Sequence, residues 1–269
     1  MVRMTKLYGH FISIHLRAQM QYRTSFLFNL LASVVSFVLA FASLALVLQR
    51  FQTVGGWSWA EVVFTYSLGQ IGFGITEVLF AGFTPGNFSN QVRRGHLDQL
   101  LLRPISPFLQ ILGSRLHLPS TVRALQGFII FGFVLSLLDL QWSLIQWLYL
   151  PLVILGGACF FSSLFVVGSA LSIWTVQSTQ AFQVLTNGSL RMIAYPMHIY
   201  PNWMRRFFTY IVPAIFLNFY PALYLLDKPD PFNFPVFAPL LTPIVGICMF
   251  VVATIFWGFG LDHYQSTGS

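Results

Sequence analysis

The segment RRGHLDQLLLRPISP, residues 93–107, concentrates charge and leucine in a chain that is otherwise poor in charged residues. Leu97, Leu100 and Leu101 recur at three- and four-residue spacing, so they share one face of a helix. Pro104 predicts that this helix ends just before it. An apolar ridge with a charged surround is typical of a helix that docks into a groove of another protein. A topological anchor with a short interfacial helix fits the same residues.

Three charged residues lie inside apolar stretches, where ionisable groups are costly and are commonly functional. They are Glu77, Arg123 and Arg191. Glu77 could line a substrate path, or it could form a structural ion pair with Arg123 or Arg191. The sequence alone leaves both interpretations open.

The chain offers little for covalent catalysis. Its six histidines are scattered, with no H-E-x-x-H motif and no other close metal-ligand spacing. Nucleotide hydrolysis by a P-loop requires the lysine of G-x-x-x-x-G-K-[ST]. The two lysines of this chain, Lys6 and Lys228, precede leucine and proline. We therefore expect no cofactor or metal in this chain, and no P-loop nucleotide site.

Composition predicts a membrane protein. Of the 269 residues, 56% are hydrophobic and only 8% are charged, whereas a soluble domain carries roughly 25% charged residues. The chain would lack the polar surface that a soluble fold needs, so we expect a single membrane domain. The net charge of +7 is better explained by basic residues at the ends of spans than by nucleic-acid binding.

About 20 apolar residues cross the hydrocarbon core of a bilayer. The stretches that meet this requirement are 24–49, 61–83, 116–138, 146–174, 179–196 and 236–261, which predicts six transmembrane helices. Residues 197–226 are also apolar but contain three prolines, which interrupt helices. We expect two short re-entrant helices there, with a seventh span as the alternative. Residues 3–22 have the periodicity of an amphipathic helix on the membrane surface.

The distribution of lysine and arginine predicts the orientation. Eight of these residues precede the first span or lie between the second and third spans, against four on the opposite side. The positive-inside rule therefore places the N-terminus in the cytoplasm. With six spans, the C-terminus is expected there as well.

Three blocks follow one another along the chain: QYRTSF at 21–26, GHLDQLLLRPISPFLQILG at 95–113 and a proline-rich block at 195–226. Together they resemble the permease subunits of the type-2 ATP-binding-cassette exporter superfamily. The central block is similar to the G-x-L-D-x-x-L-x-[RK]-P loop of a group of uncharacterised transport-system permeases. The first block is similar to the Tyr-Arg pair before their first span, and the third to the segment before their last span.

This resemblance implies an all-α integral membrane permease with six transmembrane helices. Residues 3–22 would form an N-terminal elbow helix, and residues 88–103 a cytoplasmic coupling helix that touches the ATPase. Residues 197–226 would form an extracellular re-entrant hairpin. Members work as a dimer of identical or different permeases with two ATPase subunits, and substrate would pass along an interface lined by spans one, two and five.

The expected function is that of a permease subunit of an ATP-driven exporter, which moves an amphipathic or lipid-like substrate outward across a bacterial plasma (inner) membrane. The expected partners are two copies of an ABC ATPase subunit, a second permease and membrane lipids. A secondary transporter and an integral membrane enzyme acting on lipids are the alternatives. The residues expected to couple the chain to the ATPase are Arg94, Leu97, Asp98, Leu100, Leu101 and Arg103.

Overall fold

The computed structural model describes residues 23–50, 53–115, 118–175, 178–235 and 237–265, and these residues form a helical bundle. The α-helices are α1 (Arg23–Arg50), α2 (Trp59–Leu79), α3 (Pro85–Arg93), α4 (His96–Leu101), α5 (Pro107–Gly113), α6 (Leu118–Leu137), α7 (Leu144–Leu171), α8 (Ser178–Met192), α9 (Asn202–Arg206), α10 (Ile215–Leu225) and α11 (Leu241–Asp262). The surface helix predicted at 3–22 lies outside the described residues.

Four helical segments among the described residues are long and apolar enough to cross a bilayer. They are Trp59–Leu79, Ser120–Leu137, Leu144–Leu171 and Ala238–Asp262. The bent pair Asn202–Ile211 and Ile215–Leu225 makes a fifth if it is counted as one broken span. The chain is therefore an all-α, multi-pass membrane protein, and by this measure its described helices reach four or five spans instead of six.

Two predicted spans account for the difference. Helix α1 has 28 residues and a length of about 42 Å, as expected for the span at 24–49. Most of its side chains after Ser36 lie outside the described residues, and the apolar stretch found within the rest is Leu27–Ser36. The span predicted at 179–196 corresponds to α8, whose 15 described residues end at Met192 and follow residues 176–177, which lie outside the described part of the chain. Both spans stay predictions.

Helix α2 lies at the centre of the bundle, packed against α6 and α7. Gly72 of α2 faces Gly157 of α7 so closely that a Cβ on Gly72 would lie 3.3 Å from the Gly157 carbonyl carbon. Helices α7 and α11 are closer still, since a Cβ on Gly246 would overlap the Gly156 carbonyl oxygen. Lipid provides no hydrophobic drive for helix association, so small residues at these crossings allow the van der Waals contact that replaces it.

Polar side chains reinforce this packing inside the bundle. Thr76 of α2 donates its hydroxyl hydrogen to the Ala158 carbonyl of α7 at 2.9 Å. The Asn218 side chain of α10 donates to the Thr65 carbonyl of α2 at 2.7 Å. Hydrogen bonds of this kind contribute roughly 0.6 kcal/mol each in a membrane, and here they join α2 to α7 and to α10.

The segment predicted to be re-entrant, residues 197–226, contains two helical limbs that meet at 101°. The first limb is α9 followed by a π-helical turn, which the Val212 N–H closes by donating to the Phe207 carbonyl at 3.0 Å. The second limb is α10. We call the end of the bundle formed by residues 53–58 and 197–240 the cap.

Two contacts fasten the cap to the start of α2. The Lys228 ammonium lies 2.9 Å from the Glu61 carboxylate and 5.2 Å from the centre of the Trp57 ring. The His198 ring donates from Nε2 to the Gly55 carbonyl at 2.6 Å. The segment before the first limb and the loop after the second are therefore both tied to the start of α2.

Replacement of Gly246 by alanine tests the close crossing of α7 and α11. The added methyl group would press on the Gly156 carbonyl, so we expect Gly246→Ala to lower the melting temperature of the purified protein by about 5 °C or more. Thermal unfolding in detergent, followed by circular dichroism, measures this effect. Gly258→Ala is the matched control in α11, because a Cβ there has nothing within 4 Å. Equal melting temperatures for the two variants would contradict the crossing.

Candidate functional site

The connector, residues 80–115, links α2 to α6 and contains the charged, leucine-rich segment. The single helix expected at 88–103 is divided into α3 and α4 by a bend at Gly95. Gly95 has a φ of +67°, a left-handed conformation that glycine adopts at little cost. Its N–H donates to the Val92 carbonyl at 3.0 Å and ends α3. The bend therefore sets the direction in which the leucines of α4 point.

The three leucines that helical periodicity predicts on one face of α4 differ in their exposure. Leu97 is 0% exposed and packs into the hydrophobic core, so its side chain is not available to a partner. Leu100 is partly buried, whereas Leu101 is 42% exposed. Leu102 is 86% exposed and extends the accessible apolar surface beyond the predicted ridge. A continuous-helix register does not identify Leu102, because this residue caps α4 and does not follow its regular faces.

The exposed surface of the connector is basic. Arg94 and Arg103, both expected to take part in docking, are exposed on either side of α4. Asp98 lies between them, is partly buried and has an interaction partner. Arg93 and Arg115 are also exposed, and Arg115 donates to the Asn87 side chain at 3.2 Å. Four exposed arginines around apolar Leu101 and Leu102 favour a partner surface with an apolar pocket and an acidic rim.

An aromatic clamp, defined as Phe83, Phe88, Phe108 and Trp257, holds the connector on the end of α11. The Trp257 ring lies 5.1 Å from Phe83 and 5.0 Å from Phe88 between ring centres, in edge-to-face geometry. Phe108 of α5 lies 4.7 Å from Phe83 and 6.4 Å from Trp257. Aromatic pairs at these separations stabilise by about 0.5–1.5 kcal/mol beyond their burial. The helical periodicity of the connector could not predict its contact with Trp257, because that residue is distant in sequence.

Backbone contacts make the base of the connector rigid. The Ser169 hydroxyl of α7 donates to the Phe83 carbonyl at 2.5 Å. Buried Gln110 donates its amide hydrogens to the Leu100 and Ile105 carbonyls at 2.9 and 2.8 Å, and so fixes the turn between α4 and α5. Contacts therefore run from α4 through α5 and Phe83 to α7 and α11.

The structure brings together two of the three charged residues predicted inside apolar stretches. The Arg123 guanidinium of α6 lies 3.2 Å from the Glu77 carboxylate of α2, and 5.2 Å from the centre of the Phe73 ring. Glu77 is two residues from the end of α2, so the pair joins α2 and α6 next to the connector. Arg191 is exposed on α8, and within the described ranges no carboxylate lies within 4 Å of it.

The accessible side chains of the connector are apolar or basic. In the part of the chain that the structure describes, no three His, Cys, Asp or Glu side chains are grouped so that they could hold a metal ion. Leucine methyls and guanidinium groups can bind a partner by burial and by charge.

The sequence matches the family model of the ABC-2 family transporter proteins over residues 34–268. The matched region contains α2 to α11 and the second half of α1, and so includes the connector and the cap. No curated protein and no solved structure matches the chain.

Alanine substitutions at two leucines of the connector test whether Leu97 is buried and Leu102 is exposed. We expect Leu97→Ala to reduce the free energy of unfolding by about 2–5 kcal/mol, because it removes a fully buried side chain. Leu102→Ala is the matched control and should change the stability by less than about 0.5 kcal/mol, because its side chain is exposed. Thermal and denaturant unfolding in detergent measures both. A larger loss for Leu102→Ala would show that α4 points in the other direction.

Proposed function

The chain belongs to the ABC-2 family of transporter proteins, and we propose that it is the permease subunit of an ATP-driven exporter powered by a separate ATPase subunit. The connector is the observation that carries this proposal. It offers exposed Leu101 and Leu102 in a basic surround, on a base that is held rigidly by α7 and α11. A permease driven by a partner needs such an element, because the movement of the partner has to reach the helices through solid contacts.

The ATPase motor would be another protein. The lysine of a P-loop reaches the phosphates of the nucleotide, and neither Lys6 nor Lys228 stands in a P-loop sequence. ATP and Mg²⁺ would then bind to the partner, in two copies for a dimeric exporter. The partner would accept the leucines of the connector in an apolar groove with acidic residues facing Arg94 and Arg103.

The contacts of the connector suggest how nucleotide binding would move the permease. Displacement of α4 passes through the aromatic clamp to α11 and through Ser169 to α7. The ion pair of Glu77 and Arg123 would keep α2 and α6 together at the same end. Because the helix crossings are closely packed, the bundle would rock as a body about its glycine contacts instead of bending within each helix.

Charge supports the orientation of the proposed exporter. Eight basic residues precede the first predicted span or lie in the connector, against four in the segments expected on the opposite side, and this distribution favours a cytoplasmic connector with cytoplasmic N- and C-termini. The cap, with the bent segment 197–226, would then face the outside of a bacterial plasma membrane. In that arrangement the hairpin stands where substrate leaves, as the resemblance to type-2 exporters implies.

A second permease, identical or homologous, would complete the transport path. Less than a third of the apolar windows of α6 and α11 is buried, so both helices present wide apolar faces to lipid or to another subunit. An amphipathic or lipid-like substrate suits a path between two such subunits that opens towards the bilayer. A secondary transporter or an integral membrane enzyme acting on lipids would not require the rigidly held, exposed tip of the connector.

Copurification tests the proposal directly. The protein is purified from its native membranes in mild detergent, and the accompanying subunits are identified by mass spectrometry. We expect a P-loop ATPase with the wild type, and at least about tenfold less of it with the double variant Leu101→Ala/Leu102→Ala, because the two truncations remove apolar area that the interface would bury.

A second pair of exposed leucines provides the control. Leu144 and Leu148 are 74% and 64% exposed at the cap end of α7, so Leu144→Ala/Leu148→Ala removes the same atoms at the opposite end of the bundle. This variant should retain the ATPase. Absence of any P-loop subunit from the wild-type preparation would overturn the exporter proposal and favour the secondary transporter or the enzyme. Equal loss in both double variants would overturn the assignment of the docking surface.

A further inference from the structure

An open cleft of about 720 Å³ lies along the first limb of the hairpin, on the outer side of the cap. Its lining comes from one short stretch of chain: Asn202, Trp203, Arg206, Phe207, Tyr210 and Ile211. Trp203, Arg206 and Tyr210 follow one another at spacings of three and four residues, so they lie on one face of the limb. The opposite face carries Phe208, which is buried in the core.

The two neighbouring arginines of this limb have different surroundings. The Arg205 guanidinium lies 4.9 Å from the centre of the Phe232 ring and donates to the Asn202 side chain, so contacts within the cap already engage it. Arg206 is exposed and faces the cleft. Among the described residues, no carboxylate lies within 4 Å of the Arg206 guanidinium. A guanidinium presents its donors in a rigid fork that fits two oxygens of a phosphate.

The aromatic and aliphatic side chains around Arg206 are unusually exposed. Trp203 is 69%, Tyr210 is 75% and Ile211 is 69% exposed. Trp and Tyr are enriched at the boundary between lipid and water, where the ring contacts the apolar region and its polar group stays hydrated. The π-helical turn Phe207–Ile211 adds a residue to the turn, and such turns occur frequently at functional sites.

We propose that this cleft binds the headgroup of a membrane phospholipid, with Arg206 donating to the phosphodiester and with Trp203, Tyr210 and Ile211 contacting the glycerol and the first methylene groups. The combination of one available guanidinium with an apolar surround matches a lipid, which is charged at one end only. A free phosphate ion would make no use of the apolar side chains. A bound lipid would hold the first limb against the membrane surface while the rest of the cap moves.

This site does not depend on the exporter proposal, because lipid binding by the isolated protein requires no ATPase. The purified protein, in detergent, is titrated with phosphatidylglycerol, and bound lipid is counted by native mass spectrometry. We expect Arg206→Gln to weaken phosphatidylglycerol binding about tenfold, because the charged hydrogen bonds to the phosphate are lost. Arg205→Gln is the matched control and should stay within about twofold of the wild type. Thermal unfolding of each variant checks that the fold is retained.

Three further probes identify what the site recognises. Diacylglycerol lacks the phosphate, so it should bind to the wild type about tenfold more weakly than phosphatidylglycerol does. Its affinity should be the same for the wild type and for Arg206→Gln. Glycerol 3-phosphate, which lacks the acyl chains, should not compete. Trp203→Ala should weaken phosphatidylglycerol binding while leaving the melting temperature unchanged, because its side chain is exposed.

Several results would overturn the proposal. These are unchanged phosphatidylglycerol binding in Arg206→Gln, equal weakening in Arg205→Gln, and tight binding of diacylglycerol. Competition by glycerol 3-phosphate would instead assign the cleft to a soluble phosphate compound. Each of these outcomes is independent of whether an ATPase copurifies with the protein.

Discussion

The close approach of α7 to α2 and α11 is the constraint on which the rest of the structure depends. Two adjacent glycines, Gly156 and Gly157, let one helix touch Gly246 on one side and Gly72 on the other. In a bilayer this contact replaces the hydrophobic drive that assembles soluble proteins. Because α7 joins the central helix to the last one, its crossings also determine where Trp257 lies, and with it the aromatic clamp of the connector.

The two ends of the bundle are held by different interactions. At the connector, ring contacts around Trp257 dominate, and they resist separation without prescribing a single geometry. At the cap, the ion pair of Lys228 and Glu61 and the hydrogen bond of His198 fix particular atoms in place. The two ends of the bundle therefore differ in how specifically their contacts define the geometry.

The bend at Gly95 determines which of the neighbouring leucines are buried and which are exposed. A continuous helix would present Leu97, Leu100 and Leu101 together. The left-handed glycine instead turns Leu97 into the core, where it anchors the connector, and leaves Leu101 and Leu102 as the accessible apolar surface. Burial and exposure are thus divided between neighbouring leucines.

The sequence by itself determined that the chain is a helical membrane protein, because apolar composition and run length are local properties. It also located the connector and the bent segment 197–226, and excluded a P-loop. Only the tertiary structure decided that Glu77 meets Arg123 and not Arg191. Pairing depends on how helices distant in sequence pack against one another. Helical periodicity defines the faces of a helix, but only the contacts with its neighbours decide which face is buried.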